Sequence, residues 1–146
     1  MKIGLGSDHG GFILKNQIKD YLTEKGYDVH DYGIYDGTAI DYPDVAQNVC
    51  PRVLTGEIDC AILFCGTGIG ISIAANKIKG IRAAHVTDSF SSQMAMLHNN
   101  ANVLCLGGRI TGVEIAYTIV DAYLNASFAG GRHENRVNKI MKIEEC

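Results

Sequence analysis

One cysteine in this chain stands where a thiol could act as a base. In "FCGTGIGIS", Cys65 follows the apolar run Ala61-Ile62-Leu63-Phe64 and precedes Gly66-Thr67-Gly68-Ile69-Gly70. If that loop opens a helix, its unpaired N–H groups make a seat for an anion or a developing oxyanion. The same positive helix end favours a thiolate. Taken alone, the stretch reads equally well as a buried cysteine ending a strand, with glycines that serve only the turn. Nucleotide loops fit poorly. A dinucleotide fingerprint needs a third glycine where Ile71 stands, and no GKS or GKT is present for a P-loop. A cysteine phosphatase would need an Arg at the same Ile71 position, and a response regulator an Asp in place of Cys65.

Other residues tilt the balance towards chemistry. Asp8-His9 enters Gly10-Gly11 directly after an N-terminal strand pattern, which puts it on the same sheet edge as Cys65. His98 closes a helix beside Asn99-Asn100, where an imidazole is also favoured simply by the helix dipole. In "GGRHENRVNKI", Arg132 and Arg136 are spaced i, i+4 with His133 adjacent. Two like charges on one face repel, and both oppose the dipole of the helix they begin. A bound phosphate monoester would reverse that penalty; a solvated basic face continued by Lys139 is the plainer reading. Arg109, after Gly107-Gly108, adds a donor on the ligand edge. His30 and His85 lie in strand patterns without partners and receive no role. A thiol, an amide loop, histidines and an arginine pair suit proton transfer beside a carbonyl in a small phosphorylated metabolite, through an enediolate.

The elements that must position these groups alternate from end to end. Strands are expected at Lys2–Gly6, Asp28–Asp31, Cys60–Phe64, Ile81–Val86 and Asn102–Leu106. Between them lie helical repeats: Leu14, Ile18 and Leu22; Val45, Val49 and Val53; Gly70 to Lys79; Phe90, Met94 and Leu97; and Thr111 to Asn125. Pro51 should kink the second helix or loosen its end. A last helix is expected over Arg132–Glu144. Five such alternations predict a three-layer, doubly wound sheet of five parallel strands, Rossmann-like or flavodoxin-like, in a single domain spanning 1–146. Ligands of such sheets sit beyond the strands' carboxyl ends.

Composition agrees with that picture. The 146 residues carry a net charge of −3, which gives no reason to expect nucleic acid or an anionic membrane. No apolar run reaches membrane-helix length, and "MKIGLGSDHGG" enters a strand pattern at once, leaving no room for a signal peptide. Five cysteines (50, 60, 65, 105 and 146) form no CxxC, and Cys60 and Cys65 should point to opposite faces of one strand. That argues against disulfides or zinc and for a reduced, cytoplasmic protein without metal or cofactor.

Five stretches together, "GSDHGG", "DYPD", "CGTGIGISIAANKIKGIRAA", "HNNANVLCLGGR" and "GGRHENRV", resemble the type B ribose-5-phosphate isomerases, within the group that includes galactose-6-phosphate isomerase subunits. The resemblance spans essentially the whole chain. It implies cofactor-free interconversion of ribose 5-phosphate and ribulose 5-phosphate, in the non-oxidative pentose phosphate pathway. It implies Cys65 as the base moving a proton between C2 and C1, and Gly66, Thr67, Gly68, Ile69 and Gly70 as the enediolate cradle. His98, helped by Asp8 and Thr67, would open the sugar ring. His9, Arg132 and Arg136 would hold the phosphate, with Arg109 and Asn99 completing the site. It further implies a homodimer or tetramer whose active site lies at the subunit interface, reached by the C-terminal helix. Relatives that lack the cysteine take their base from a carboxylate in the loop; this chain has Ile71 and Ser72 beyond it. Six-carbon substrates such as allose or galactose 6-phosphate remain open, as do a regulatory sugar-phosphate sensor and a non-catalytic nucleotide-binding module.

Overall fold

A computed structural model describes all 146 residues. Five strands form one parallel sheet: β1 (Lys2–Ser7), β2 (Asp28–Asp31), β3 (Cys60–Cys65), β4 (Ala83–His85) and β5 (Val103–Gly107), in the spatial order β2-β1-β3-β5-β4. Every pairing is parallel, so each connection needs a crossover, and helices supply them. They are α1 (Phe12–Glu24), α2 (Tyr42–Leu54), α3 (Ile69–Asn76), α4 (Ser89–Asn99) and α5 (Val113–Leu124), with α6 (Arg132–Ile143) following as an extra element.

Side chains of the inner strands alternate between two apolar layers. Ile62 and Phe64 of β3 pack with Leu104 and Leu106 against Leu14, Ile18 and Leu22 of α1, Ala95 of α4, and Ile119 and Tyr123 of α5. Ala61, Leu63 and Cys65 pack with Val103 and Cys105 against Val45 and Val49 of α2 and Ile71 and Ala75 of α3. Both faces are covered, which is why these strands read as unbroken apolar runs. Cys60 and Cys65 do fall in opposite layers, as their spacing requires. The chain passes from β1 outward to β2, then crosses back to β3 on the other side of β1. The strand order therefore reverses between β1 and β3, and it is at the carboxyl ends beside such a reversal that these sheets offer a crevice.

Three details differ from the sequence reading. The α4 stripe of Phe90, Met94 and Leu97 is not the buried one: Phe90 is 70% exposed, and Ser92 and Ala95 face the core. The Ser92 hydroxyl donates to the Ile119 carbonyl, so a polar residue enters the core without an unpaired group. β4 is only three residues long, because the Arg82 N–H goes to the Asn102 side chain and the Ala83 N–H to Asn76. Finally, α2 continues through Pro51 to Leu54, where the missing N–H removes one bond near the helix end. No helix is long and apolar enough to cross a membrane.

Candidate active site

Cys65 is the last residue of β3 and is nearly buried, with its side chain under the amino end of α3. Gly68 makes this possible. Its φ of +79° turns the chain back over the strand end, and its N–H donates to Cys65 Sγ at 3.1 Å. An N–H on sulfur at a helix amino end favours negative charge there. The N–H groups of Gly66, Thr67, Gly70 and Ile71 meet no acceptor within the chain. The Thr67 hydroxyl is occupied as an acceptor for the Ile69 N–H at 3.2 Å, which fixes the loop tip. The loop is thus a row of open donors around one buried thiol.

Two neighbouring turns close over it. Asp8 continues the β1 ladder through its N–H to the Phe64 carbonyl, and its Oδ1 accepts from Gly10 and Gly11 at 2.8 and 3.1 Å. That leaves its second carboxylate oxygen free at the crevice. The approach of α1 to β3 is backbone on backbone: a Cβ at Gly11 would lie 2.5 Å from the Phe64 carbonyl carbon. From β5, the Gly108 and Arg109 N–H groups donate to the carbonyls of Cys65 and Gly66 at 2.8 and 2.9 Å. The Arg109 guanidinium lies over Gly66, and His9 is exposed beside Asp8. Asp8, His9, Cys65, the loop 66–70 and Arg109 are therefore brought together at one edge of the sheet.

His98, Asn99, Arg132 and Arg136 are not. α4 runs back from the carboxyl end of β4 to the amino end of β5, so His98 and Asn99 lie at the opposite edge. The five spacings between the six residues of β3, at about 3.3 Å each, separate the two edges by roughly 16 Å. α6 lies along this amino edge. The Ala129 N–H before it donates to the Leu97 carbonyl, and Glu144 at its far end accepts the Gly80 N–H at 3.0 Å. Only Val137 of α6 is buried. Arg132 and Arg136 are exposed, with no carboxylate within 4.0 Å, while the His98 and His133 rings stack at 4.1 Å and 8°. Asn99 helps to line a cavity of about 230 Å³ with Asn76, Arg82 and Ile140, remote from Cys65.

Two residues at the cysteine edge receive no role from sequence alone: Tyr42 is not singled out, and His85 reads as a strand residue without a partner. Tyr42, in the first turn of α2, lies against the loop so closely that a Cβ on Gly70 would sit 2.7 Å from its ring. An aromatic hydroxyl inside "DYPD", at the start of a helix on the ligand edge, was the available signal. His85 packs beneath Gly68 from the end of β4. Burial pushes Cys50 and Cys60 up to about 12 and Cys105 well above the usual thiol range, so these three stay neutral.

Known proteins resemble this chain over nearly its full length. The family described as Ribose/Galactose Isomerase matches residues 3–140. The ribose-5-phosphate isomerase B of Escherichia coli (strain K12) is 49% identical over 144 residues, 99% of this chain and 97% of that protein. The solved ribose-5-phosphate isomerase B of Clostridium thermocellum superposes with a TM-score of 0.97 at 52% identity, covering 99% of this chain and 98% of that one. A D-erythrulose-4-phosphate isomerase of Pectobacterium atrosepticum is 46% identical over 146 residues, 99% of this chain and 95% of that protein.

Proposed function

From a chain that belongs to the ribose/galactose isomerase family and is a sugar-phosphate isomerase, we propose the specific reaction: interconversion of D-ribose 5-phosphate and D-ribulose 5-phosphate, as in the non-oxidative pentose phosphate pathway. The observation that carries the chemistry is Cys65, held by the Gly68 N–H inside a row of unpaired amides. Its sulfur removes the proton from C2 of the open-chain aldose. The electrons move into the C1–C2 bond, and charge gathers on the C1 oxygen, where the amides of the 66–70 loop meet it. The O2 proton passes to the C1 oxygen as the C2–O2 bond becomes the carbonyl, the same sulfur returns its proton to C1, and the ketose forms. Substrate and product are isomers, so no co-reactant is consumed.

Ring opening and phosphate binding fall to residues of the other edge. In this reading the site is completed by a second copy, whose His98 and Asn99 meet the sugar ring and whose Arg132 and Arg136 meet the phosphate together with His9 and Arg109. The roughly 16 Å between the edges of one chain supports this. So do the unpaired guanidiniums and the exposed apolar residues around both edges, Ile69, Ile73 and Ile110 at one and Ile140 and Ile143 at the other. Mixing decides the point. Cys65→Ala and His98→Asn variants should each be inactive, and subunit exchange between them should restore about a quarter of wild-type turnover, because half of the dimers regain one of two sites. No recovery after verified exchange overturns the shared site. Parallel assays with ribose, allose, galactose and erythrulose phosphates test the five-carbon preference, which fails if a six- or four-carbon substrate gives the highest kcat/KM.

A further inference from the structure

Beside the ring-opening histidine stands a second imidazole that the reaction as written does not use. The rings of His98, at the end of α4, and His133, in the first turn of α6, stack face to face at 4.1 Å and 8°. Both residues are half-buried. Resting on the reading of His98 as the ring opener, we propose that His133 is a positioning residue: it holds the plane of the His98 ring and couples the two imidazoles, so that the pair carries at most one proton until the substrate's phosphate arrives.

The surroundings support that coupling. Two imidazolium rings in contact repel, so charging both costs more than charging either alone. His133 is held below the usual histidine range by partial burial, then by His98, Arg132 and Arg136. The charged groups facing the pair are basic: Arg132 and Arg136 from α6, and Arg82 beside the end of α4, whose Nε donates to the Asn100 carbonyl. Carboxylates on the packed elements are engaged elsewhere, Asp121 of α5 with Lys25 and Tyr21 and Glu144 of α6 with the Gly80 N–H; Glu134 is exposed on the helix surface. A phosphate dianion between Arg132 and Arg136 offsets their field, and the pair then takes up a proton. During ring opening that proton passes from His98 to the ring oxygen as the C1–O bond breaks. The C1 hydroxyl returns a proton as its C=O bond forms, so the pair ends as it began.

The decisive measurement is an NMR titration of the His98 side chain in the intact enzyme. Wild type should show two steps, and His133→Phe, which keeps a flat ring without a titrating nitrogen, should show one. Inorganic phosphate should move the first wild-type step to higher pH. Identical curves for the two proteins, or no response to phosphate, overturn the coupling. In kinetics, His133→Ala should lower kcat by about tenfold with KM within about twofold, and His133→Phe should recover most of it at alkaline pH. A change in KM alone would instead make His133 a phosphate ligand. Separately, a His98→Asn enzyme with wild-type turnover would remove the ring-opening reading, while the titration steps would still report the coupling.

Discussion

The two edges of this sheet are built from different materials. At the carboxyl edge the functional groups are mostly main chain: open amides, a thiol reached by one of them, and turns packed backbone to backbone. At the amino edge they are side chains: the half-buried His98 at the end of α4, stacked on His133, and the exposed Arg132 and Arg136 of α6. Main-chain donors have few ways to move and suit a charge that appears for an instant at a fixed place. Arginines on a helix held by one buried valine suit a phosphate that must enter and leave. On the proposed reading the contrast divides the labour: the carboxyl edge moves the proton between carbons, while the amino edge opens the ring and supplies most of the phosphate grip.

Four substitutions break or sharpen that division. The largest effect belongs to Cys65→Ala, which should lower kcat by about a thousandfold, within the range of general-base catalysis, with the thermal midpoint and phosphate affinity nearly unchanged. Residual turnover within about tenfold of wild type would mean that the base lies elsewhere.

Next comes the frame behind the cysteine edge. Lys15 is fully buried and donates to Asp31 at 2.7 Å and to the Ile34 carbonyl at 2.6 Å, tying α1 to the loop that pairs with Ser7 beside Asp8. Asp31→Asn leaves a buried ammonium without its counter-ion and should cost about 3–5 kcal/mol in urea unfolding. Burial acts most strongly on Asp31 and would raise it, yet the bonds from Lys15 and the Gly33 N–H and the lysine charges outweigh it, so its carboxyl lies below the usual range. Its contribution is therefore complete above about pH 4 and is lost as pH falls through the lower folded value. The wild-type urea midpoint should drop more steeply on acidification than that of the asparagine variant. A parallel decline would remove Asp31 from the account.

Arg136→Ala, at the other edge, should raise KM by about ten- to a hundredfold with a smaller change in kcat, the loss of a charge-assisted hydrogen bond. A fall in kcat with KM unchanged would place transition-state work on the binding edge and erase the distinction. The smallest effect is a control. Pro51→Ala restores an N–H near the end of α2, at none of the candidate site residues, and should raise stability by about 1 kcal/mol at unchanged kinetics.

How far the sequence reached follows the same boundary. Alternation predicted all five strands, most plainly β3 and β5, whose unbroken apolar runs are buried on both faces; the edge strand β2 matches to the residue. The glycine loop and Asp8 were legible because positions after strand ends share an edge whatever the strand order. The α4 face was misread: Ser92 reaches the core only through the Ile119 carbonyl, a partner 27 residues away. Lys15 was invisible for the same reason, since its burial depends on Asp31 and Ile34, which no local period reveals. The separation of His98 from Cys65 needed the direction of α4 relative to the sheet, which only the topology supplies.

The close backbone packing around Gly11 has a consequence for how such an enzyme can change its diet. A side chain at Gly11 would strike the Phe64 carbonyl carbon at 2.5 Å, and one at Gly108 the Gly10 oxygen at the same distance. This jaw has no adjustable teeth. On the proposed reading, descendants that accept shorter or longer sugars have to resize the pocket through side chains, near His98 and Arg132 on the opposing jaw or at Tyr42, while the main-chain jaw is inherited unaltered.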